Sequence, residues 1–250
     1  MTTMIVVSAV AIGGWLALYR LPLGATWRRR RVALWLADRV QLGADAAFAL
    51  LGTAIYVGLG VLVFFAIMRA GGLTVASLIG RPSGLAVATG ALAIAGTSSL
   101  NTLWISALYR VRPDVDIPGE ITRIQWIWSI MSLPKRARWI IPATAALVEE
   151  CVFRGALFNG LGARGASFLL AMGLSTAVFA VGQIVLVSTW TQAFVMGVSS
   201  CTLGLVGSLV VAATGSIVPA LVLHTTFAGF YTGMGTTSSS TSTSVVRRSF

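Results

Sequence analysis

Seven long apolar stretches, at approximately 3–19, 45–68, 84–108, 139–160, 165–187, 190–212 and 216–234, constrain this chain more than any other feature. A helix needs about 20 apolar residues to cross the hydrocarbon core of a bilayer. Lipid offers the backbone no hydrogen-bond partner, so each stretch must satisfy its own amides, which a helix does. The composition agrees: 56% of the 250 residues are hydrophobic and only 10% charged, against about 25% charged in a soluble domain. The expected fold is all-α, a polytopic transmembrane helical bundle of about seven spans. No Lys or Arg precedes Arg20, so the first stretch reads as a signal anchor entering amino-end-out, not as a cleaved signal peptide.

The few charges sit mostly between the apolar runs, and they set an orientation. Residues 20–39 hold six arginines, residues 110–138 hold five arginines and Lys135, and Arg247 and Arg248 close the tail. The opposite side of a seven-span chain receives Arg69, Arg81 and Arg164. The positive side faces the cytoplasm, which predicts a multi-pass cell-membrane protein with its amino terminus outside and its carboxyl terminus cytoplasmic. The net charge of +11 does not point to nucleic acid, because Arg28 to Arg31 lie beside Trp27 and Trp35, where anionic lipid headgroups are the nearer partner. Residues 119–138 read either as an interfacial helix or as a solvated connector with tryptophan anchors. The Gly/Ser/Thr tract at 235–244 is expected to be disordered. Nothing in the sequence sets an oligomeric state.

Three charges break the pattern. Glu149, Glu150 and Arg154 stand inside the apolar run from Trp139 to Leu161, where each costs roughly 2.5–3.5 kcal/mol at a helix centre, so such residues are rare and usually functional. Glu150 and Arg154, four residues apart on a helix, share a face with the glutamate on the favoured amino-terminal side. Glu149 is turned by about 100° from Glu150, so it is the carboxylate expected to face a water-filled cavity, where it could serve as a general base for water. The alternative is a structural ion pair between helices. His224, the sole histidine, follows Pro219 by a little more than one turn. Its imidazole could donate to a developing oxyanion, bind water, or make an interhelical hydrogen bond. Gln183 is an unusual amide at membrane depth, open to the same alternatives as an interhelical bond. Asn159, Gln192 and Asn101 are weaker candidates. Cys151 and Cys201 form no CxxC motif, so neither a disulfide nor a redox role is expected. No motif calls for a cofactor, and a single histidine excludes HExxH; a bound metal stays open.

These residues resemble a known family. Glu149-Glu150-x-x-x-Arg154 closed by Gly155, then Phe179-x-x-x-Gln183, then His224 after Pro219, is similar to the CAAX prenyl protease and bacteriocin-processing (CPBP) family over residues 139–234. The resemblance implies an intramembrane endopeptidase whose core is the last four spans and whose substrate is a peptide or membrane protein. It implies Glu149 as the base activating water, Glu150 and Arg154 shaping the site, and His224 as an oxyanion donor. Two positions depart from the family pattern. Gln183 occupies the place of the second motif's histidine, and an amide orients water but takes up no proton. Ala228 occupies the place of the third motif's amide and offers no donor; losing one such donor typically costs about 10²–10³ in rate. Thr225 and Thr226 are the nearest substitutes. The departures open a second reading, a catalytically silent relative that binds peptides or partner membrane proteins, as in bacteriocin immunity. A carrier using the glutamates as a proton relay is a third, weakened by the lack of an internal repeat. The chain accordingly divides into an amino-terminal membrane region (1–138), a peptidase-like core (139–234) and a Ser/Thr-rich tail (235–250).

Overall fold

The computed structural model describes residues 1–24, 26–80 and 83–233, and every regular element in them is helical. Helix α1 (Thr2–Gly24) runs beside α3 (Ala44–Gly71), with the basic α2 (Thr26–Val40) between them in sequence. A 3₁₀ turn (Val75–Leu78) leads to α4 (Gly84–Val111), and two short helices, α5 (Ile117–Thr122) and α6 (Gln125–Met131), precede the carboxyl-terminal half. There α7 (Ile140–Glu149) continues through a π-helical segment (Glu150–Phe158) into α8 (Asn159–Ala163), followed by α9 (Phe168–Ile184), α10 (Trp190–Thr214) and α11 (Val218–Gly233).

Helical segments therefore stand at all seven expected positions. Four of them, α1, α3, α4 and α10, are individually long and apolar enough to cross a membrane. Helix α9 is shorter, at 17 residues, reaching about 26 Å. Its partner runs from Ile140 to Ala163 as one continuous rod whose middle is π-helical. The uniform α-helix expected over 139–160 is thus corrected: nine residues from Glu150 widen by one residue per hydrogen-bonded ring, a rare geometry concentrated at functional sites.

Helix ends follow local chemistry. Ser83 caps α4 by accepting from the Ala86 amide, and Ser167 caps α9 by accepting from Leu170. Thr189 and Gln192 form a capping box that starts α10. Gly72 (φ 72°) and Gly215 (φ 65°) end α3 and α10 in the left-handed conformation that glycine adopts without strain. Residues 119–138 do not form a single helix and are not fully solvated. They hold parts of two short helices; Ile121, Ile127 and Ile130 of these helices and Ile124 between them are buried, while Trp128 is 55% exposed. Residues 235–244, Arg81, Arg247 and Arg248 lie outside the described residues, as do the side chains of Arg28 to Arg30.

Helices in lipid approach one another through small residues and turn large apolar ones outward. Leu62, Phe65, Leu85, Val87, Leu92 and Leu103 all project from the bundle. Inside, Gly60 of α3 meets Val148 of α7, and a Cβ there would also lie 2.8 Å from the Trp15 ring of α1. Gly60→Leu should therefore part three helices and lower the unfolding midpoint in micelles by the equivalent of about 1–3 kcal/mol, as overpacking does. Gly58→Leu is the control, because its added Cβ meets open space.

The two ends of the bundle differ in charge. Trp126, Ile130 and Leu133 pack on Ala46 and Ala49 at the start of α3, placing this part of the basic 110–138 segment at the end of α3 that follows α2. At the other end Arg164 donates from Nε and Nη2 to the Ala70 carbonyl at 3.0 and 2.7 Å. Ala46 and Ala70 are separated by about 36 Å along the helix, so the ends sit on opposite sides of a bilayer's thickness.

Candidate active site

Glu149 ends α7 and Glu150 opens the π-helical segment, so the two carboxylates leave the same rod where its pitch changes. They diverge as their positions predict. Glu149 lines a cavity of about 440 Å³, whereas Glu150 faces the protein interior and is 1% exposed. Arg154 is fully buried, with Nη1 3.2 Å from Glu150 Oε1, and its guanidinium lies over the Phe179 ring at 4.4 Å. The ion contact lacks hydrogen-bond geometry, and among the described residues none of the three guanidinium nitrogens has a hydrogen-bond partner. Gly207 of α10 leaves room for this group, since a Cβ there would stand 3.3 Å from Arg154 Nε.

His224 of α11 bridges the two carboxylates. Its Nδ1 is 2.8 Å from Glu150 Oε1 and its Nε2 3.4 Å from Glu149 Oε2. An ionised carboxylate only accepts, so Nδ1 carries the proton toward Glu150. A neutral imidazole would then present a bare Nε2 to Glu149 Oε2, acceptor against acceptor. Two carboxylates, one guanidinium and one imidazole thus meet in a single low-dielectric cluster, each charge lying close to an opposite or hydrogen-bonding partner. With Nδ1 committed to Glu150, donation from Nε2 toward an oxyanion requires the doubly protonated ring. Phe179 meets His224 edge to face at 5.6 Å, so one ring packs against both the guanidinium and the imidazole.

The remaining contacts fall on the other oxygen of Glu149. Gln183 Nε2 donates to Oε1 at 3.0 Å, and the Tyr56 hydroxyl donates to the same atom at 2.5 Å. Gln183 thus lies beside Glu149 in the cavity wall. Tyr56, from α3, went unnoticed in the sequence; the available signal was a lone tyrosine deep in an apolar span, one turn before Gly60. It is the thirteenth of the 28 residues of α3, about 18 Å from the start of a helix of about 42 Å, so the site lies near mid-membrane.

Other candidates are sorted by the same geometry. Ala228 lines the cavity and leaves its wall without a donor there. Thr225 and Thr226 do not line it, and the Thr226 hydroxyl is spent on the Val222 carbonyl at 2.8 Å, so neither replaces the missing amide. Asn101 accepts from Ser199 at 2.7 Å, holding α4 to α10, while Ser199 and Ser200 line the cavity. Gln192 caps α10 and donates to the Glu120 carbonyl at 2.9 Å. Asn159 is not in the cavity wall. Cys151 and Cys201 are free thiols. From Trp126 and Ser188 at the basic end, the cavity extends down to Glu149 between mainly apolar walls.

Residues 136–230 match the family model described as Type II CAAX prenyl endopeptidase Rce1-like. This segment is a domain of the CAAX prenyl endopeptidase (CPBP) family, in a membrane helical bundle. Neither the curated proteins nor the solved structures gave a match.

Proposed function

We propose that the protein is an intramembrane endopeptidase in which Glu149 activates water. The observation that carries this reading is a carboxylate at mid-membrane depth on the floor of a cavity that reaches the basic end of the bundle. Buried charge is retained against a large desolvation cost, and here it is aimed at solvent-accessible space. In the proposed step Glu149 Oε2 takes a proton from water while the water oxygen bonds to the peptide carbonyl carbon. The oxyanion that forms is met by His224 Nε2–H in its doubly protonated state. Glu149 then returns the proton to the peptide nitrogen, the C–N bond breaks, and a carboxylic acid and an amine leave. Glu150 and Arg154 hold the histidine, and Gln183 orients Glu149. In this reading 139–234 is the peptidase core, 1–138 a membrane region around it and 235–250 a tail. The amino terminus is outside, the carboxyl terminus cytoplasmic, and the substrate is a peptide or membrane protein approaching from the cytoplasm or the bilayer, with anionic lipid at the arginine-rich loops.

The test is a comparison of protein termini in membranes from cells with the native chain, without it, and with Glu149→Gln. Cleaved termini lost in both of the latter support the peptidase and identify its substrate. Termini lost on deletion but present with Glu149→Gln sink it.

The donorless wall at Ala228 favours a second reading, a catalytically silent relative that binds peptides or partner membrane proteins. If that is correct, Gln183→His with Ala228→Asn gains cleavage that the native chain lacks. Cleavage by the native chain rejects it.

A further inference from the structure

We propose that Tyr56 is a positioning residue for Glu149, contributed by the half of the chain outside the family match. Together with Gln183 it holds Oε1, so that Oε2 alone is presented to water. The inference rests on the hydrolytic reading above for what that orientation serves.

Two donors converge on one oxygen of a carboxylate whose other oxygen, among the described residues, has only the long contact to His224. Such a carboxylate is fixed in rotation, and its two oxygens are no longer equivalent. The one with both donors is the poorer base, and the other keeps lone pairs for a water proton. Gln183 alone would leave the group hinged on a single bond from a half-buried amide. The phenol adds a second anchor from a different helix.

The placement of Tyr56 is itself overdetermined. The Trp15 indole donates to the Tyr56 carbonyl at 3.0 Å, and the two rings lie 4.6 Å apart. Tyr19 meets the Tyr56 ring edge-on at 5.1 Å. One turn on, Gly60 brings α3 against Val148, the neighbour of Glu149. Nearby on the same wall, the Thr53 hydroxyl is committed to the Ala49 carbonyl at 2.8 Å and does not compete for the carboxylate. Residues 136–230 then make an incomplete site by themselves, because one of the two anchors of the base comes from α3.

The test uses the purified full chain in lipid nanodiscs and infrared difference spectroscopy. The Glu149 carboxylate bands are those lost in Glu149→Gln. In Tyr56→Phe these bands are expected to shift while the unfolding midpoint stays near native, since the ring contacts survive. On the peptide identified from the cellular termini, kcat should fall roughly 10²-fold with KM unchanged, the scale of a misplaced reacting group. Unmoved carboxylate bands in folded Tyr56→Phe overturn the proposal, whether or not the protein cleaves anything. Shifted bands in a protein that cleaves nothing leave the hold on Glu149 standing and remove the hydrolytic reading instead. Should Tyr56→Phe fail to fold, 3-fluorotyrosine at position 56 keeps the hydroxyl but strengthens it as a donor. The same bands must then move, and their constancy rejects the proposal.

Discussion

Arg154→Met is expected to destabilise the bundle by about 3–5 kcal/mol, the range for removing one partner of a buried ion pair. The guanidinium is fully buried and, among the described residues, it is the sole permanent cation in contact with a cluster holding Glu149, Glu150 and His224. Methionine fills much of the same volume and keeps a soft contact with Phe179, so the loss reads charge more than packing. The two carboxylates would then share one histidine in a low dielectric. The check is the unfolding midpoint in micelles, beside Arg154→Met combined with Glu150→Gln. The double variant removes the uncompensated charge as well and should recover most of the loss, because the pair couples strongly. Arg154→Lys should not rescue fully, since an ammonium lacks the planar face that stacks on the ring. A single variant within about 0.5 kcal/mol of native, the scale of a neutral surface change, would mean the cluster carries no such electrostatic debt.

The positions of the helices were legible because membrane depth demands length and apolarity, and both are written in a single sequence. Glu149, Glu150 and Arg154 were legible for the opposite reason, as violations of that demand. The divergence of the two glutamates also follows from sequence position, with Glu149 at the cavity and Glu150 toward Arg154. The π-helical backbone was not legible. Glu150 to Phe158 has no proline and no turn signature, and the widened ring is set by what packs around it. Ser175 reaches across from α9 to donate to the Phe153 carbonyl at 2.7 Å, and Gly155 admits Leu78 and Ile217. These are contacts between distant segments. Tyr56 escaped for the same reason: a tyrosine in a span is unremarkable until the fold sets its hydroxyl on a carboxylate 93 residues away. Residues that violate the local rule announce themselves, while those that gain a role only by juxtaposition do not.

Glu149→Gln should leave the fold intact and lower cleavage by about 10²–10⁴, the usual contribution of a positioned general base. The glutamine carbonyl can take the place of Oε1 and go on accepting from Tyr56 and Gln183. Its amide nitrogen would then face His224 Nε2, where a donor suits a bare ring nitrogen. Nothing in the packing need move, so the unfolding midpoint should hold or rise as one buried charge disappears. What the variant cannot do is take a proton from water. Glu150→Gln makes the contrast. That carboxylate touches both Arg154 and His224 Nδ1, so its neutralisation should lower stability and rate together. The informative measurement is therefore the pair of variants on one substrate, each with its rate and its unfolding midpoint. A rate that collapses in Glu149→Gln at unchanged stability identifies the base. Near-native cleavage in folded Glu149→Gln would reject the water-activation step and return both glutamates to a structural ion cluster.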